Sequence, residues 1–439
     1  MTQPPPQTRP RRSYIGLRLI GTVVLIAGGI ATSALLARQQ ALDAGGWFES
    51  TGLLDVLVDA LMIANDVPGA ALAVIENGAL TYSAGYTRSD ASITPESVFQ
   101  VASISKPLTA WGIMLLAEAG LVDLDAPASD YLVGWNFADT LPADSNFDPQ
   151  TVTIRRLLSH TGGVSISGYT GFPPDQPLQT LSESLNGAAD VPGAPPVTLM
   201  SVPGSGYRYS GGGYSVLQLV IETVTNQSFA EFMQAALFDP LEMTRSGFAD
   251  ADLPPDLVAV HDATGAEQPP HRFAALAAGG ITSTTLDLAR WVSAAVDPVL
   301  LNDATLDAMF TAQPATAHGF GVEYGLGYSL ERTFNGVRIA WHNGNNPPGW
   351  RTYVGMLPAS RAGIVILTNS PGGVELYATV NCGWISAYTD STTINCVLRQ
   401  AEALVIPALI VTGIGVGAIW LPLFRRRARR DQVVGAPSS

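Results

Sequence analysis

Ser103 and Lys106 stand three residues apart in the stretch "VFQVASISKPLTA", positions 98–110. Lys106 is the only lysine among 439 residues; the other 22 of the 23 Lys/Arg positions are arginine. A serine hydroxyl is a poor nucleophile near neutral pH and needs an adjacent base. An amine serves as that base once it sheds its proton, which a guanidinium does not do. Burial and the positive end of a helix both favour the neutral amine. Pro107 is tolerated only in a first helical turn, so a helix is predicted to begin at about Ser103 to Ser105. At i and i+3 on that turn the hydroxyl and the amine share a face. The pattern predicts a nucleophilic serine with a lysine base. A solvated surface lysine is the other reading, and it does not say why this position alone escaped replacement by arginine.

Further stretches follow in order: "RRLLSHTGGV" with His160, "PGSGYRYSGGGYSVL" with Tyr209, "LFDPLEMTRSGF", "AAGGITSTTLDLARW", and "WHNGNNPPGW" with His342. Together, over about residues 52–370, they resemble the penicillin-recognising serine hydrolases, specifically the class C β-lactamase-like branch. That branch also holds D,D-carboxypeptidases, D-aminopeptidases and esterases. The resemblance implies a β-lactamase/transpeptidase-like α/β (α+β) fold, an antiparallel sheet flanked by helices with an inserted helical region. It implies that Ser103 forms an acyl-enzyme and that Lys106 and Tyr209 share the proton traffic, with either one the general base. The backbone N–H groups of Ser103 and Asn345 would form the oxyanion hole. Gly344 and Gly211 would border the substrate, His342 would face its leaving side, and His160 would be structural. No cofactor is implied. Two positions depart from the family pattern. Gly211 stands where the Tyr-x-Asn box carries an amide, and His342-Asn343-Gly344 replaces Lys-Thr-Gly. A neutral imidazole is a weaker carboxylate partner than an ammonium, so β-lactams are expected to be poor substrates. Histidine at this place is familiar in aminopeptidase and esterase members, so hydrolysis of an amide or ester is still expected.

These residues need a frame. Asn77-Gly78, between the apolar runs of "GAALAVIENGALTYSAGYT", predicts a β-hairpin with a type I′ turn. Apolar residues at helical spacing predict a helix over 105–119, stopped at Gly120. A Gly/Pro-rich stretch over 122–208 is broken by a short helix at "TIRRLLSH". Two helices follow in "YSVLQLVIETVTNQSFAEFMQAAL", and another, capped by Thr or Ser, over 282–296. Beyond residue 320 come short strands, so one antiparallel sheet completed by both ends of the domain is expected, with helices inserted between. His261, Asp262 and His271 lack compact ligand spacing, and no metal site is expected. Trp341 and Trp350 read equally as pocket lining or core.

Composition is 47% hydrophobic, high for a soluble protein, and two uncharged segments stand out. Residues 19–37 and 403–424 each approach the roughly 20 residues that cross a bilayer. Arginines precede the first (Arg9, Arg11, Arg12, Arg18) and follow the second (425–430), which predicts cytoplasmic tails at 1–18 and 425–439. A cleaved signal peptide is the alternative for the first segment. The hydrolase domain, expected over 45–390, would then face outward at the cell membrane. From Arg38 to Arg399 the chain carries 13 arginines and one lysine against 35 carboxylates, a net −21. That excludes nucleic acid as a partner. Cys382 and Cys396 fall on the outer side, where a disulfide is favoured over two free thiols. The sequence thus reads as a membrane-anchored serine hydrolase acting on a small-molecule or peptide substrate. The rival readings are a D,D-carboxypeptidase or transpeptidase on cell-wall peptide, and a non-catalytic ligand-binding sensor.

Overall fold

In the computed structural model, residues 12–89, 91–141, 147–187, 195–250, 252–401, 413–416 and 418–421 are described. Contacts divide the chain into two units, Gly45–Thr393 and Met1–Ala44 with Ile394–Ser439.

The first unit is built on a seven-stranded antiparallel sheet. Its strands are β1 (Gly69–Glu76), β2 (Ala79–Thr87), β3 (Glu323–Tyr324), β4 (Ser329–Arg332), β5 (Arg338–Asn346), β6 (Trp350–Leu357) and β7 (Ala362–Thr368). The order across the sheet is β2-β1-β7-β6-β5-β4-β3. The expected closure of the sheet by both ends of the domain is therefore the pairing of β1 with β7, Ala70 opposite Thr368. Seven of eight β1 residues are buried, as a strand covered on both faces requires. Asn77 and Gly78 both take positive φ, 52° and 80°, which gives the predicted hairpin its turn.

Helices cover both faces. Helix α1 (Thr51–Ala64), capped by the Ser50 hydroxyl on Leu53 N–H, packs with α5 (Gly373–Thr389), which also lies against β6 and β7. Helix α4 (Thr285–Val296) lies against β7 and β1. The predicted Thr cap is Thr284, which accepts from Asp287 N–H at 3.1 Å. The inserted region supplies α2 (Ser105–Glu118) and α3 (Gly211–Thr225), which pack on each other. Helix α2 starts and stops where the sequence predicts, with Gly120 beyond it at φ 71°. Eleven of its fourteen residues are buried, Lys106 and Trp111 among them. The "TIRRLLSH" helix is Ile154–Leu158. A three-stranded sheet of Phe99–Gln100, Ile281–Ser283 and Gly247–Phe248 ties the chain before Ser103 to that before α4.

The second unit holds a 32-residue helix, Arg12–Asp43, and short helical stretches at 413–416 and 418–421. Trp420 Nε1 donates to Thr22 Oγ1 at 3.0 Å. Among the described residues no helix is long and apolar enough to cross a membrane, so the transmembrane helices expected at 19–37 and 403–424 are not found there. Residues 19–37 lie in the Arg12–Asp43 helix, several of whose side chains fall outside the described set; 403–424 lies largely outside it. Neither cysteine is free: Cys382 and Cys396 are both disulfide-bonded.

Candidate active site

Ser103 is displayed by a turn that the sheet holds from outside. Ala102 takes a left-handed φ of 53°, uncommon for a residue with a Cβ and worth about 1–3 kcal/mol of strain. Its neighbours fix it there. Val101 N–H donates to Ile281 O at 3.0 Å, and Val101 O accepts from Thr352 Oγ1 on β6 at 2.8 Å. Ser105 Oγ donates to Ala102 O at 2.7 Å and accepts from Ile281 N–H at 3.0 Å. A single turn over Ala102–Ile104 then feeds α2.

Lys106 projects from the first turn of α2 and is 1% exposed. Its Nζ donates to Ala278 O at 2.6 Å and lies 3.1 Å from Ser103 Oγ. None of the ion pairs among the described residues includes it. An amine out of water with no carboxylate beside it favours the neutral form, and desolvation takes its pKa down to about 7. The Tyr209 ring lies 4.8 Å from Nζ and the Tyr214 ring 5.8 Å. Burial raises the Tyr209 pKa above its ordinary value, while hydrogen bonding with the Ser103 hydroxyl pulls the other way. Ser103, Lys106 and Tyr209 are thus gathered at one point.

Tyr209 sits on the extended segment before α3, whose cap is Ser210; Ser210 Oγ accepts from Gly213 N–H at 2.8 Å. Gly211, the first residue of α3, is buried beside the Tyr169 ring, and its N–H donates to Ser167 O at 3.2 Å. On β5, His342 is 3% exposed. Its Nδ1 lies 2.7 Å from Asn343 O and its Nε2 3.1 Å from Tyr324 Oη. Desolvation, reinforced by Lys106, takes its pKa down to about 3. Gly344 touches the nucleophile turn: a Cβ there would lie 2.5 Å from Val101 O and 2.9 Å from Ala102 Cβ. Asn345 follows, exposed, opposite Arg351 of β6, on the part of β5 beyond its pairing with β4.

Sequence reasoning missed the surroundings of this cluster. His160, at a φ of 58°, accepts from Ser210 N–H at Nδ1, 3.1 Å. Its ring centroid is 4.4 Å from that of Tyr209 and 4.7 Å from that of Tyr324. Burial, then Lys106, hold it well below its ordinary pKa. Tyr207 and His318 stack at 4.0 Å, 12° between planes, and Tyr214 Oη donates to Leu158 O at 3.0 Å. Three of the five histidines and four tyrosines therefore line one uncharged wall around Lys106. The sequence signal was weak: single His and Tyr residues up to 182 positions apart, brought together only by the fold. Other candidates go elsewhere. Asp262 accepts from Thr264 N–H and Oγ1 at 2.8 and 2.6 Å and closes a turn. His261 lies on a short strand, its N–H on Asn369 O, and His271 Nδ1 lies 2.6 Å from Thr170 O. Trp350 is core, edge-on to Phe99, and Trp341 stacks on Tyr353.

The family model described as Beta-lactamase matches residues 54–381. Penicillin-binding protein 4 of Amycolatopsis lactamdurans is 36% identical over 192 residues, covering 43% of this chain and 46% of that protein. The match thus spans less than half the length of this relative. Penicillin-binding protein 4* of Bacillus subtilis is 26% identical over 356 residues, 73% of this chain and 72% of its own. Among solved structures, the octameric penicillin-binding protein homologue from Pyrococcus abyssi has a TM-score of 0.62 at 26% identity, over 75% of this chain and 76% of that one. A D-amino acid amidase from Ochrobactrum anthropi complexed with D-phenylalanine has a TM-score of 0.60 over 76% and 98% of the chains. At 22% identity that likeness concerns the fold alone.

Proposed function

The chain belongs to the beta-lactamase family of penicillin-binding-protein-like serine hydrolases, and from that premise we propose that it cleaves an amide or ester through an acyl-enzyme on Ser103. The observation that carries this reading is Lys106, buried, without a carboxylate partner among the described residues, and 3.1 Å from the Ser103 hydroxyl. As Ser103 Oγ bonds to the acyl carbon, its proton passes to the Lys106 amine. The N–H groups of Ser103 and Asn345 stabilise the oxyanion, each worth roughly 3–4 kcal/mol. Collapse of the tetrahedral species breaks the bond to the leaving group, which takes the proton back through Tyr209. Water then attacks the ester and gives its proton to Lys106, which passes it to Ser103 Oγ as the bond to the acyl carbon breaks, releasing the acid and restoring Ser103 and the free amine. Burial favours this assignment of the base: it disfavours charge on both groups, which makes Lys106 the acceptor and leaves Tyr209 a neutral phenol.

The names of three similar proteins bear on the substrate. A D-amino acid amidase shares the fold, which supports a D-aminoacyl amide or ester. Penicillin-binding relatives support the second reading, a carboxypeptidase or transpeptidase acting on D,D-peptides. The flanking arginines and the two uncharged segments support an enzyme anchored in the cell membrane with its site outside. The test of the central reading is labelling of the full-length chain with a fluorophosphonate probe. The parent should be labelled and Ser103→Ala should not, with an unchanged far-UV spectrum. Full labelling of the variant rules Ser103 out as nucleophile.

A further inference from the structure

His160 holds the chain on both sides of Tyr209. Its carbonyl oxygen accepts from Arg208 N–H at 2.8 Å, and its ring Nδ1 accepts from Ser210 N–H at 3.1 Å. The residues flanking Tyr209 are thus tied to one partner. A backbone N–H only donates, so Nδ1 is bare and the neutral ring carries its proton on Nε2. That Nε2 is buried and has no hydrogen-bond partner among the described residues, so the imidazole's one bond there is to Ser210. Burial, then Lys106, keeps the ring neutral and the acceptor available. The backbone is bent to deliver it. His160 sits at a left-handed φ of 58°, directly after the Ile154–Leu158 helix and its cap Ser159, where glycine or asparagine is the usual choice. Filling space does not ask for histidine here. A phenylalanine would pack on the Tyr209 ring, now 4.4 Å away between centroids, but would leave the buried Ser210 N–H without an acceptor.

We propose that His160 is a positioning residue for Tyr209: its Nδ1 and its carbonyl oxygen fix the backbone from which the phenol meets Ser103 and the departing group. The inference rests on the acyl-enzyme reading above, in which the leaving group takes its proton through Tyr209. The phenol oxygen stands at the far end of a rigid side chain, within hydrogen-bonding reach of the Ser103 hydroxyl. A small rotation of the Tyr209–Ser210 peptide therefore moves that oxygen further than it moves the backbone. Ser210 is otherwise held through its side chain, Oγ donating to Ser165 O at 2.7 Å and accepting from Gly213 N–H at 2.8 Å. Those bonds anchor the start of α3 and leave the peptide of Tyr209 to His160. Because His160 acts through Tyr209, its loss is felt where the leaving group needs a proton and not where it departs without one.

The experiment compares two esters of acetic acid, 4-nitrophenyl and benzyl, on the full-length parent, His160→Phe and His160→Asn. The 4-nitrophenolate leaves without a proton; the benzyl alkoxide needs one. Fluorophosphonate labelling of Ser103 is measured in parallel, so an unlabelled parent removes the acyl-enzyme reading, and this inference with it, before any ratio is compared. His160→Phe keeps a ring and loses the acceptor. Its kcat/KM should fall about tenfold to a hundredfold on the benzyl ester and stay within about threefold of the parent on the 4-nitrophenyl ester. His160→Asn presents Oδ1 where Nδ1 stood and tolerates a left-handed φ, so it should keep both activities within about fivefold. Equal changes on the two esters in labelled His160→Phe, or none, overturn the proposal, because a merely structural residue does not distinguish leaving groups. So does a His160→Asn that is unlabelled or selectively loses the benzyl ester, which decides the matter if His160→Phe does not fold. A labelled parent that leaves the benzyl ester intact overturns it too, since Tyr209 then delivers no proton.

Discussion

Lys106 differs from every arginine in the chain in one property, that its proton can be lost near neutral pH. Its surroundings make that property usable: burial without a carboxylate takes its pKa down to about 7. Below that pH the amine is charged and cannot accept from Ser103; above it the amine is free. Acylation of Ser103 should therefore rise with pH through a midpoint near 7 and level off. His342, held near 3, should add no inflection above pH 5. The check is the rate of Ser103 labelling or ester cleavage across pH 5.5 to 9, with Lys106→Arg as the comparison. Arginine keeps the charge but not the titration, so the variant should fold and lose roughly 10² to 10⁴ in rate. A flat profile for the parent, or a variant within a few-fold of it, would mean that the lone lysine is an accident of composition.

At the scale of elements, the site is a helix N-terminus pressed against a strand pair. Gly344 on β5 and Thr352 on β6 lie opposite each other, and both touch the turn that displays Ser103. A methyl at Gly344 has no room, because one of its contacts is the Val101 carbonyl, itself bonded to Thr352. Gly344→Ala should cost about 1–3 kcal/mol of stability through overpacking, read as a lower melting temperature. It should also slow labelling of Ser103 by tenfold or more, since small displacements of a nucleophile are expensive. Loss of stability with labelling at the parental rate would show that the strand does not position the turn. The sequence revealed much of this frame, because its signals were local. Asn77-Gly78 fixed the hairpin, Pro107 and Gly120 bounded α2, and Thr284 capped α4. What it hid was non-local. Tyr324 and His318 come from a stretch with no strong periodicity, and only the pairing of β3 with β4 and the packing of the 160s loop bring them to Lys106. The same holds for Gly211: its missing side chain was evident, whereas the Tyr169 ring beside it was not.

Across the whole molecule, charge is sorted by position. The span from Arg38 to Arg399 has a net charge of −21, while four arginines precede the first uncharged segment and five follow the second. Basic residues beside apolar segments are retained on the cytoplasmic side, and a strongly acidic domain is repelled by anionic lipid headgroups. Both effects favour tails inside and the hydrolase domain outside. The disulfide state of Cys382 and Cys396 is what the proposed outward arrangement would give, because reducing compartments keep thiols free. A reporter active only outside the membrane, fused near residue 250, should therefore be active, and one that works only in the cytoplasm should be silent there. Fusions following residue 430 should show the reverse. If the arginines direct this arrangement, replacing the five at 425–430 with neutral residues should weaken retention of the C-terminal tail and leave the 250 fusion unchanged. A cytoplasmic signal from the 250 fusion would place the acyl hydrolase inside the cell and remove external cell-wall peptides from its reach.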